Sequence, residues 1–192
     1  NDLSVSNNSN TKVDRAWVVG QYGSTKYELG KFPLYTEQGL VFDSKVSGAQ
    51  VTFSGNKLTG TLTGGRFKMN DEKWSAVDTA TFYGLGLTYK ANEKFSAGAG
   101  YYYASNKADM KAVTLTNTDK AYNAESAKIW DLGMTYNFNN TLRLSGAYAH
   151  NSEGDVDGKF KKAYNFELAY KTAVPANKGS FGIYAAYRYL GQ

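Results

Sequence analysis

The feature that most constrains this chain is an alternation of apolar with polar or small residues that returns in segment after segment. Residues 81–90 show it clearly, because every second position there is large and apolar: Tyr83, Leu85, Leu87 and Tyr89. The same period of two covers 95–104, 128–138, 141–149, 163–171 and 180–189, and a less regular form covers 15–22, 25–32, 47–53 and 57–66. Successive side chains of a β-strand point to opposite faces, so the pattern predicts ten strands with one apolar face each.

The connections between these segments alternate in length. The short ones are Gly23-Ser24, 54–56, 91–94 and Asn139-Asn140. The long ones are 33–45, 68–78, 106–126 and 150–162, and a moderate one, 172–178, contains Pro175. Long loops at one rim and short turns at the other are typical of up-and-down membrane β-barrels, whereas a soluble sandwich has no reason to keep such an alternation.

Aromatic residues follow the same arrangement. Those near the long-loop ends of the segments are Trp130, Tyr101, Tyr103, Tyr148, Tyr164, Tyr187 and Tyr189, and those near the short-turn ends are Phe95, Tyr89, Phe138, Tyr170 and Phe181. Two aromatic belts around an aliphatic band indicate a surface that meets lipid. An aromatic ladder in a soluble sheet is the alternative, but it does not explain why ring positions follow loop lengths. We therefore expect an all-β, transmembrane, antiparallel up-and-down β-barrel over 1–192, as a single domain.

Composition excludes several other classes. The chain has 192 residues with 16 Tyr, 20 Gly and no Cys, so disulfides, thiolate chemistry and Cys-ligated zinc are excluded. Its net charge of +5 is scattered, and the densest cluster, Lys159, Lys161 and Lys162, is too small for a nucleic-acid tract. The negative mean hydropathy is typical of a soluble protein, but hydropathy does not identify membrane barrels, in which only alternate residues meet lipid.

Strand direction predicts that the chain is part of a larger barrel. The first strand runs into a tight turn, so ten strands begin and end at the long-loop rim. Complete bacterial barrels have both termini at the short-turn rim. Either the strand count is wrong by one at each end, or the chain is an internal piece of a larger barrel. We favour the second interpretation and therefore expect more strands than this chain supplies.

One passage carries a family resemblance. Residues 27–53 read YELGKFPLYTEQGLVFDSKVSGAQVTF, in which a strand ends in Leu29-Gly30-Lys31, a loop follows, and a strand opens with Gly48-Ala49. This passage resembles general diffusion porins, and it is especially similar to the OmpM-type porins of diderm Firmicutes such as Veillonella. The resemblance covers 27–66 and extends over the rest by strand pattern only.

The resemblance implies a bacterial outer-membrane channel for passive diffusion of small hydrophilic solutes and ions. It also implies a homotrimer, a barrel of about sixteen strands and no cofactor. Porins of this type carry an S-layer-homology domain that binds the cell wall, and no such segment is visible in this sequence. In such porins one long loop narrows the lumen, and the matching segment here is 33–45, with Glu37 and Asp43.

Alternation also identifies residues that would line the channel. The charged side chains at inward positions are Arg15, Lys26, Glu28, Lys90, Asp131, Arg143, Glu167, Lys171 and Arg188. A polar inner face suits a water-filled lumen, since a small solid barrel needs apolar filling. The excess of basic groups predicts a weak preference for anions. A simpler interpretation is that these charges only solubilise the wall or pair with each other.

Other functions have weaker support. His150 is the only histidine and no nucleophile elbow is present, so we do not expect an enzyme. Acidic residues at every second position, Glu153, Asp155 and Asp157, are a weak calcium signal. Tyr102 faces inward, where it lines the wall or stacks on a sugar. The main rivals are a small closed barrel that acts as an adhesin through its long loops, and a soluble carbohydrate-binding sandwich.

Overall fold

The described part of the chain is all-β. The computed structural model describes residues 15–36, 39–68, 79–105, 113–114, 121–122, 126–152, 161–171, 176 and 178–190. The first half contains strands β1 (Ala16–Tyr22), β2 (Thr25–Tyr35), β3 (Asp43–Ser54), β4 (Leu58–Lys68), β5 (Thr79–Lys90) and β6 (Phe95–Ser105). The second half contains β7 (Val113–Thr114), β8 (Ala121–Tyr122), β9 (Ser126–Asn137), β10 (Leu142–Asn151), β11 (Lys162–Tyr170) and β12 (Ile183–Leu190). None of the described segments forms a helix long and apolar enough to cross a membrane.

Ten of these strands form one antiparallel, up-and-down sheet in the order β1-β2-β3-β4-β5-β6-β9-β10-β11-β12. Each strand pairs with its neighbour along the chain, as the sequence predicts. Strands β1 and β12 are the two edges, so the sheet is not closed within the described residues. The two short strands β7 and β8 form a separate hairpin.

The short turns are built from residues that suit them. Gly23 has a φ of 56°, in the left-handed region that favours glycine, where β1 turns into β2. The side-chain oxygen of Asn92 accepts hydrogen bonds from the backbone N–H groups of Lys94 and Phe95, at 2.8 and 2.9 Å. Asn139 does the same for Thr141 and Leu142 in the β9–β10 turn. Asparagine side chains that bond to the backbone two or three residues on favour such turns.

Register keeps the two kinds of side chain on opposite faces of the sheet. Leu62 lies opposite Leu85, which lies opposite Tyr101, so the apolar positions of β4, β5 and β6 share one face. We call this the outer face. Its side chains are largely exposed, and Leu132 and Met134 of β9 retain 53% and 60% of their accessible surface. The other face, which we call the inner face, carries the buried polar side chains Glu28, Thr63, Asp131, Ser145 and Asn165.

Aromatic rings contact one another along the outer face near the long-loop ends of the strands. The ring centroids of Tyr83 and Tyr103 are 6.5 Å apart, those of Trp130 and Tyr148 are 5.4 Å apart, and those of Tyr164 and Tyr189 are 5.2 Å apart. Near the short turns, the rings of Tyr136 and Phe138 pack edge-to-face at 5.0 Å. Six residues of strand separate Trp130 from Tyr136, which is roughly 20 Å at about 3.3 Å per residue.

Three strand boundaries differ clearly from the sequence prediction: the end of β2 and the starts of β3 and β12. Strands β2 and β3 extend until Tyr35 pairs with Asp43, so the connection expected over 33–45 is shortened to 36–42. Pro33 is tolerated in β2 because it lies beyond Lys31, the last residue that pairs with β1. Strand β12 begins only at Ile183, which lengthens the last connection to 171–182. The hairpin β7–β8 lies within a segment expected to be a loop.

Candidate functional site

A line of hydrogen bonds crosses the inner face over β2, β3 and β4. Register sets Glu28 opposite Gln50, and Gln50 opposite Thr63. The Thr63 hydroxyl donates to Gln50 Oε1 at 2.8 Å, and Gln50 Nε2 donates to Glu28 Oε2 at 2.8 Å. Lys26, two residues before Glu28 and on the same face, places Nζ 3.2 Å from Glu28 Oε2. These four residues form what we call the polar chain.

Burial explains why the polar chain is connected. Glu28 is only 8% exposed, and a buried carboxylate is costly unless it is paired and hydrogen-bonded. The Lys26 ammonium and the Gln50 amide supply both partners. Because the two charges cancel, this part of the inner face is polar without a net charge.

A second set of charged side chains lies on β10, β11 and β12. Arg143 Nη2 is 3.2 Å from Glu167 Oε1 in a partly exposed ion pair. Arg188 Nε donates to Asn165 Oδ1 at 3.3 Å. The charges of Arg143 and Glu167 cancel, so Arg188 leaves this part of the inner face with a net positive charge.

A buried acid lies between the two polar regions. Asp131 of β9 is 1% exposed and lies opposite Gly100 of β6. The side chain of Tyr102 lies over Gly100, so that a Cβ added at Gly100 would fall on both Tyr102 Oη and Asp131 Oδ1. Glycine at position 100 is therefore what allows these two polar groups to approach each other.

Towards the long-loop ends, the inner face is apolar. The buried residues there, which we call the inner aromatic cluster, are Phe32, Leu34, Val46, Phe82 and Tyr102. The rings of Phe82 and Tyr102 stack at 6.1 Å and lie over Gly84, whose added Cβ would be 3.0–3.1 Å from both. The cluster covers the inner face of the sheet from β2 to β6.

The β2–β3 connection folds inward onto this cluster. The Phe42 ring lies 4.7 Å from Phe82, 5.1 Å from Phe67 and 6.0 Å from Tyr102, in edge-on arrangements. Edge-to-face aromatic pairs stabilise beyond the area that they bury. Phe42 therefore holds the end of this connection against the inner face.

Thr36 closes the same loop. Its hydroxyl oxygen accepts hydrogen bonds from the backbone N–H groups of Phe42 and Val41, at 2.9 and 3.2 Å. Its own N–H donates to the Phe42 carbonyl at 3.0 Å. These bonds satisfy backbone groups that the sheet does not pair, and they fix where Phe42 enters the cluster.

A cavity of about 480 Å³ opens on the inner face between the polar chain and the inward loop. Its polar wall contains Lys26, Glu28, Gln50, Thr61 and Thr63, and its other wall contains Leu34, Thr36 and Tyr102. Gly84 and Gly86 leave part of the lining without side chains. The volume is within the range of small-molecule sites, about 300–1,000 Å³.

The structure brings most of the predicted lining residues to the inner face. Lys26, Glu28, Asp131, Arg143, Glu167 and Arg188 lie there by register. Arg15, just before β1, and Lys90, at the end of β5, are exposed at the ends of their strands.

Lys171 does not lie on the inner face. Its φ of 58° breaks the strand geometry immediately after β11. Its Nζ lies 5.4 Å from the Tyr170 ring centroid and 4.8 Å from that of Phe181, over aromatic rings of the outer side. The alternation that predicts an inward Lys171 ends with β11, so it does not determine the direction of this side chain.

In the loop predicted to narrow the channel, the residue that contacts the inner face differs from the two that were predicted, Glu37 and Asp43. Glu37 lies outside the described residues, and Asp43 belongs to β3, where it pairs with Tyr35. The residue that carries the loop inward is Phe42, which the alternation could not identify because it lies outside any strand. Gln50 was also missed, although its inward position could have been obtained from the period of β3.

The remaining candidates can be placed briefly. Glu153, Asp155 and Asp157 lie outside the described residues. His150 lies beside Trp130, with the two ring centroids 5.7 Å apart. Among the residues that the structure describes, no group of three or more His, Cys, Asp or Glu could hold a metal ion.

Comparison with known proteins adds no family to this description: no protein-family model matches the chain, and no curated protein sequence matches it.

Proposed function

We propose that this chain forms part of a transmembrane β-barrel in a bacterial outer membrane, and that the barrel is a porin. It would provide a water-filled path for passive diffusion of small hydrophilic solutes and ions. No energy source or enzymatic step is part of the proposal. The trimeric state and a size of about sixteen strands rest on the resemblance of residues 27–66 to OmpM-type porins.

One observation carries the proposal: the polarity of the sheet is inverted relative to a soluble protein. The outer face exposes large apolar side chains on every full-length strand, including Leu29, Leu62, Leu85, Leu132, Leu168 and Ile183. The buried polar and charged side chains Glu28, Thr63, Asp131, Ser145 and Asn165 lie on the opposite, inner face. Soluble monomers rarely expose an apolar surface of that extent, whereas a lipid-facing sheet requires it.

The inner face supports a channel rather than a filled interior over much of its area. The polar chain and the Arg143–Glu167 pair present charged and amide groups along the wall. Rings of charged side chains and pore width determine which solutes pass a channel. The two exposed guanidinium groups, Arg143 and Arg188, are the basis for expecting a preference for anions.

The open sheet edges also fit this proposal. Strands β1 and β12 each have one side without a strand partner in the described residues. An exposed sheet edge is a liability in a membrane, because its backbone groups cannot bond to lipid. In the proposed barrel, further strands cover these edges.

Single-channel recording tests the proposal. The purified full-length protein is inserted into a planar lipid bilayer, and current is measured in KCl. We expect ohmic steps, in groups of three if the trimer forms, and a reversal potential that indicates anion preference under a salt gradient. Absence of current from protein that is folded by circular dichroism would exclude the porin.

A closed barrel that binds partners through its long loops has one observation in its favour. The inner aromatic cluster and Phe42 fill part of the interior with apolar side chains, as a small barrel requires. The bilayer experiment distinguishes the two functions, since a filled barrel does not conduct.

A further inference from the structure

The cavity between the polar chain and the inward loop has a composition that a diffusion path alone does not need. It combines hydrogen-bonding groups on one wall with the Tyr102 side chain and Leu34 on another. Resting on the proposed porin function, we propose that this cavity is a binding site for a neutral, polyhydroxylated solute the size of one sugar ring.

Charge is the first reason for this class of ligand. Among the described residues that line the cavity, only Lys26 and Glu28 are charged, and they pair with each other at 3.2 Å. An ionic ligand would have to compete with that ion pair and would leave one partner uncompensated. A neutral ligand leaves the pair intact.

Hydrogen-bonding capacity is the second reason. In the polar chain, Thr63 donates to Gln50 Oε1 and Gln50 Nε2 donates to Glu28 Oε2, which fixes the orientation of the amide. Gln50 Nε2 keeps a second hydrogen, and among the described residues no hydrogen bond is made by Glu28 Oε1. Thr88 adds a hydroxyl group that both donates and accepts, and Thr61 adds one that also pairs with the Thr52 hydroxyl at 3.3 Å. Adjacent donors and acceptors match sugar hydroxyls, each of which does both.

Shape is the third reason. Tyr102 is held beneath the cavity by its stacking on Phe82 and by its position over Gly84 and Gly100. A fixed aromatic side chain beside hydrogen-bonding groups suits a ligand with an apolar C–H face and a polar rim. Gly86 keeps the space open, because an added Cβ there would meet nothing closer than Thr61 Cβ at 4.0 Å.

Gly86 also provides a sharp test. A Gly86→Val substitution would direct two methyl groups into the cavity without a backbone clash, and valine is favourable in strands. Gly60→Val is the matched control, because Gly60 lies opposite Leu87 on the outer face of the neighbouring strand. Thr63→Val removes one hydroxyl of the polar chain, and Thr135→Val makes the same change on the inner face away from the cavity.

The experiment measures binding of D-glucose to the full-length protein in detergent micelles by saturation-transfer NMR. Current through bilayers is recorded in parallel while glucose is added. We expect saturable glucose binding and a saturable fall in current, whereas a polyethylene glycol of equal hydrodynamic radius lowers the current without saturation. Gly86→Val and Thr63→Val should raise the half-saturating concentration at least about tenfold, and both controls should leave it unchanged.

The outcomes separate this inference from the proposed porin. A conducting channel without saturable glucose binding overturns the inference and leaves the porin standing. A silent protein whose glucose binding is lost in Gly86→Val retains the site and excludes the porin. Gluconate or glucosamine binding more tightly than glucose would show an ionic site and would also overturn the inference.

Discussion

The side chains of Tyr102 and Asp131 meet above Gly100, in the space that a Cβ on that residue would occupy. Gly86 lies directly opposite Gly100 on β5, faces the same side, and has open space at its Cβ position. Position 86 therefore has room for a larger side chain, whereas position 100 does not. Glycine destabilises a strand, and it is favourable only where a larger side chain does not fit. Replacing glycine by alanine should therefore have opposite effects on stability at the two positions.

We expect Gly100→Ala to lower the free energy of unfolding by about 1–3 kcal/mol, the usual cost of overpacking a well-filled interior. Gly86→Ala should be neutral or slightly stabilising. Urea titration of the protein folded in lipid vesicles, followed by tryptophan fluorescence, measures both. Equal midpoints for the two variants would contradict the packing around Gly100.

The outer face should reject charge, and the inner face should accept it. Leu132 is exposed in the middle of the outer face, and Thr135, three residues later, points inward. If the outer face meets lipid, Leu132→Arg costs roughly 2–4 kcal/mol, as arginine does near the middle of a bilayer. Thr135→Arg should cost much less. The yield of heat-modifiable, folded protein on gels after insertion into vesicles compares them, and equal yields would argue against a membrane face.

If the barrel is a channel as proposed, Phe42 should control how far the β2–β3 loop obstructs its lumen. Its ring contacts Phe67, Phe82 and Tyr102, so Phe42→Ala removes the contact that holds the loop against the wall. We expect a larger single-channel conductance and a loss of at most about 3 kcal/mol of stability, because Phe42 is partly buried and truncation of a fully buried phenylalanine costs about 3–5 kcal/mol. Phe138→Ala, on the exposed outer face, is the control and should leave conductance unchanged. An unchanged conductance in Phe42→Ala would mean that the loop does not narrow the path.

Arg143 should contribute to ion selectivity. Removing its guanidinium by Arg143→Ala leaves Glu167 without its ion-pair partner and shifts the reversal potential in a KCl gradient towards cations. The stability change should stay within about 1 kcal/mol, since the pair is partly exposed. Lys171→Ala removes an equal charge whose ammonium lies over outer aromatic rings, and should not change selectivity. A similar shift in both variants would show that selectivity reflects net charge only.

The sheet was predictable from the sequence because strand periodicity is a local property. Glu28 and Asp131 point inward for the same reason that Leu29 and Leu132 point outward: successive side chains of a strand alternate between the two faces. Periodicity therefore predicts the order of the ten strands, and it predicts the inner-face position of most of the charged residues proposed to line the channel. It stops at the strand ends, as Lys171 shows.

The parts that were not predictable depend on contacts between distant residues. Phe42 reaches Tyr102 across three strands, and no spacing near position 42 encodes that contact. Likewise, nothing in the sequence around Gly100 indicates that Tyr102 and Asp131 share the space above it. Both features arise from the curvature and register of the assembled sheet.

The neighbour-to-neighbour pairing of the strands also affects how the sheet assembles. Eight of the nine pairings in the large sheet close connections of 2–12 residues, such as 91–94 between β5 and β6, whereas pairing of β6 with β9 must close 106–125. Loop-closure entropy makes that fivefold longer connection costlier by about 1.4 kcal/mol. The β7–β8 hairpin shortens the effective loop and offsets part of this cost. Strands β1–β6 and β9–β12 therefore form two sets of locally paired strands. Pairing of β6 with β9 joins the two sets, and it is the step at which a register error is most costly to correct.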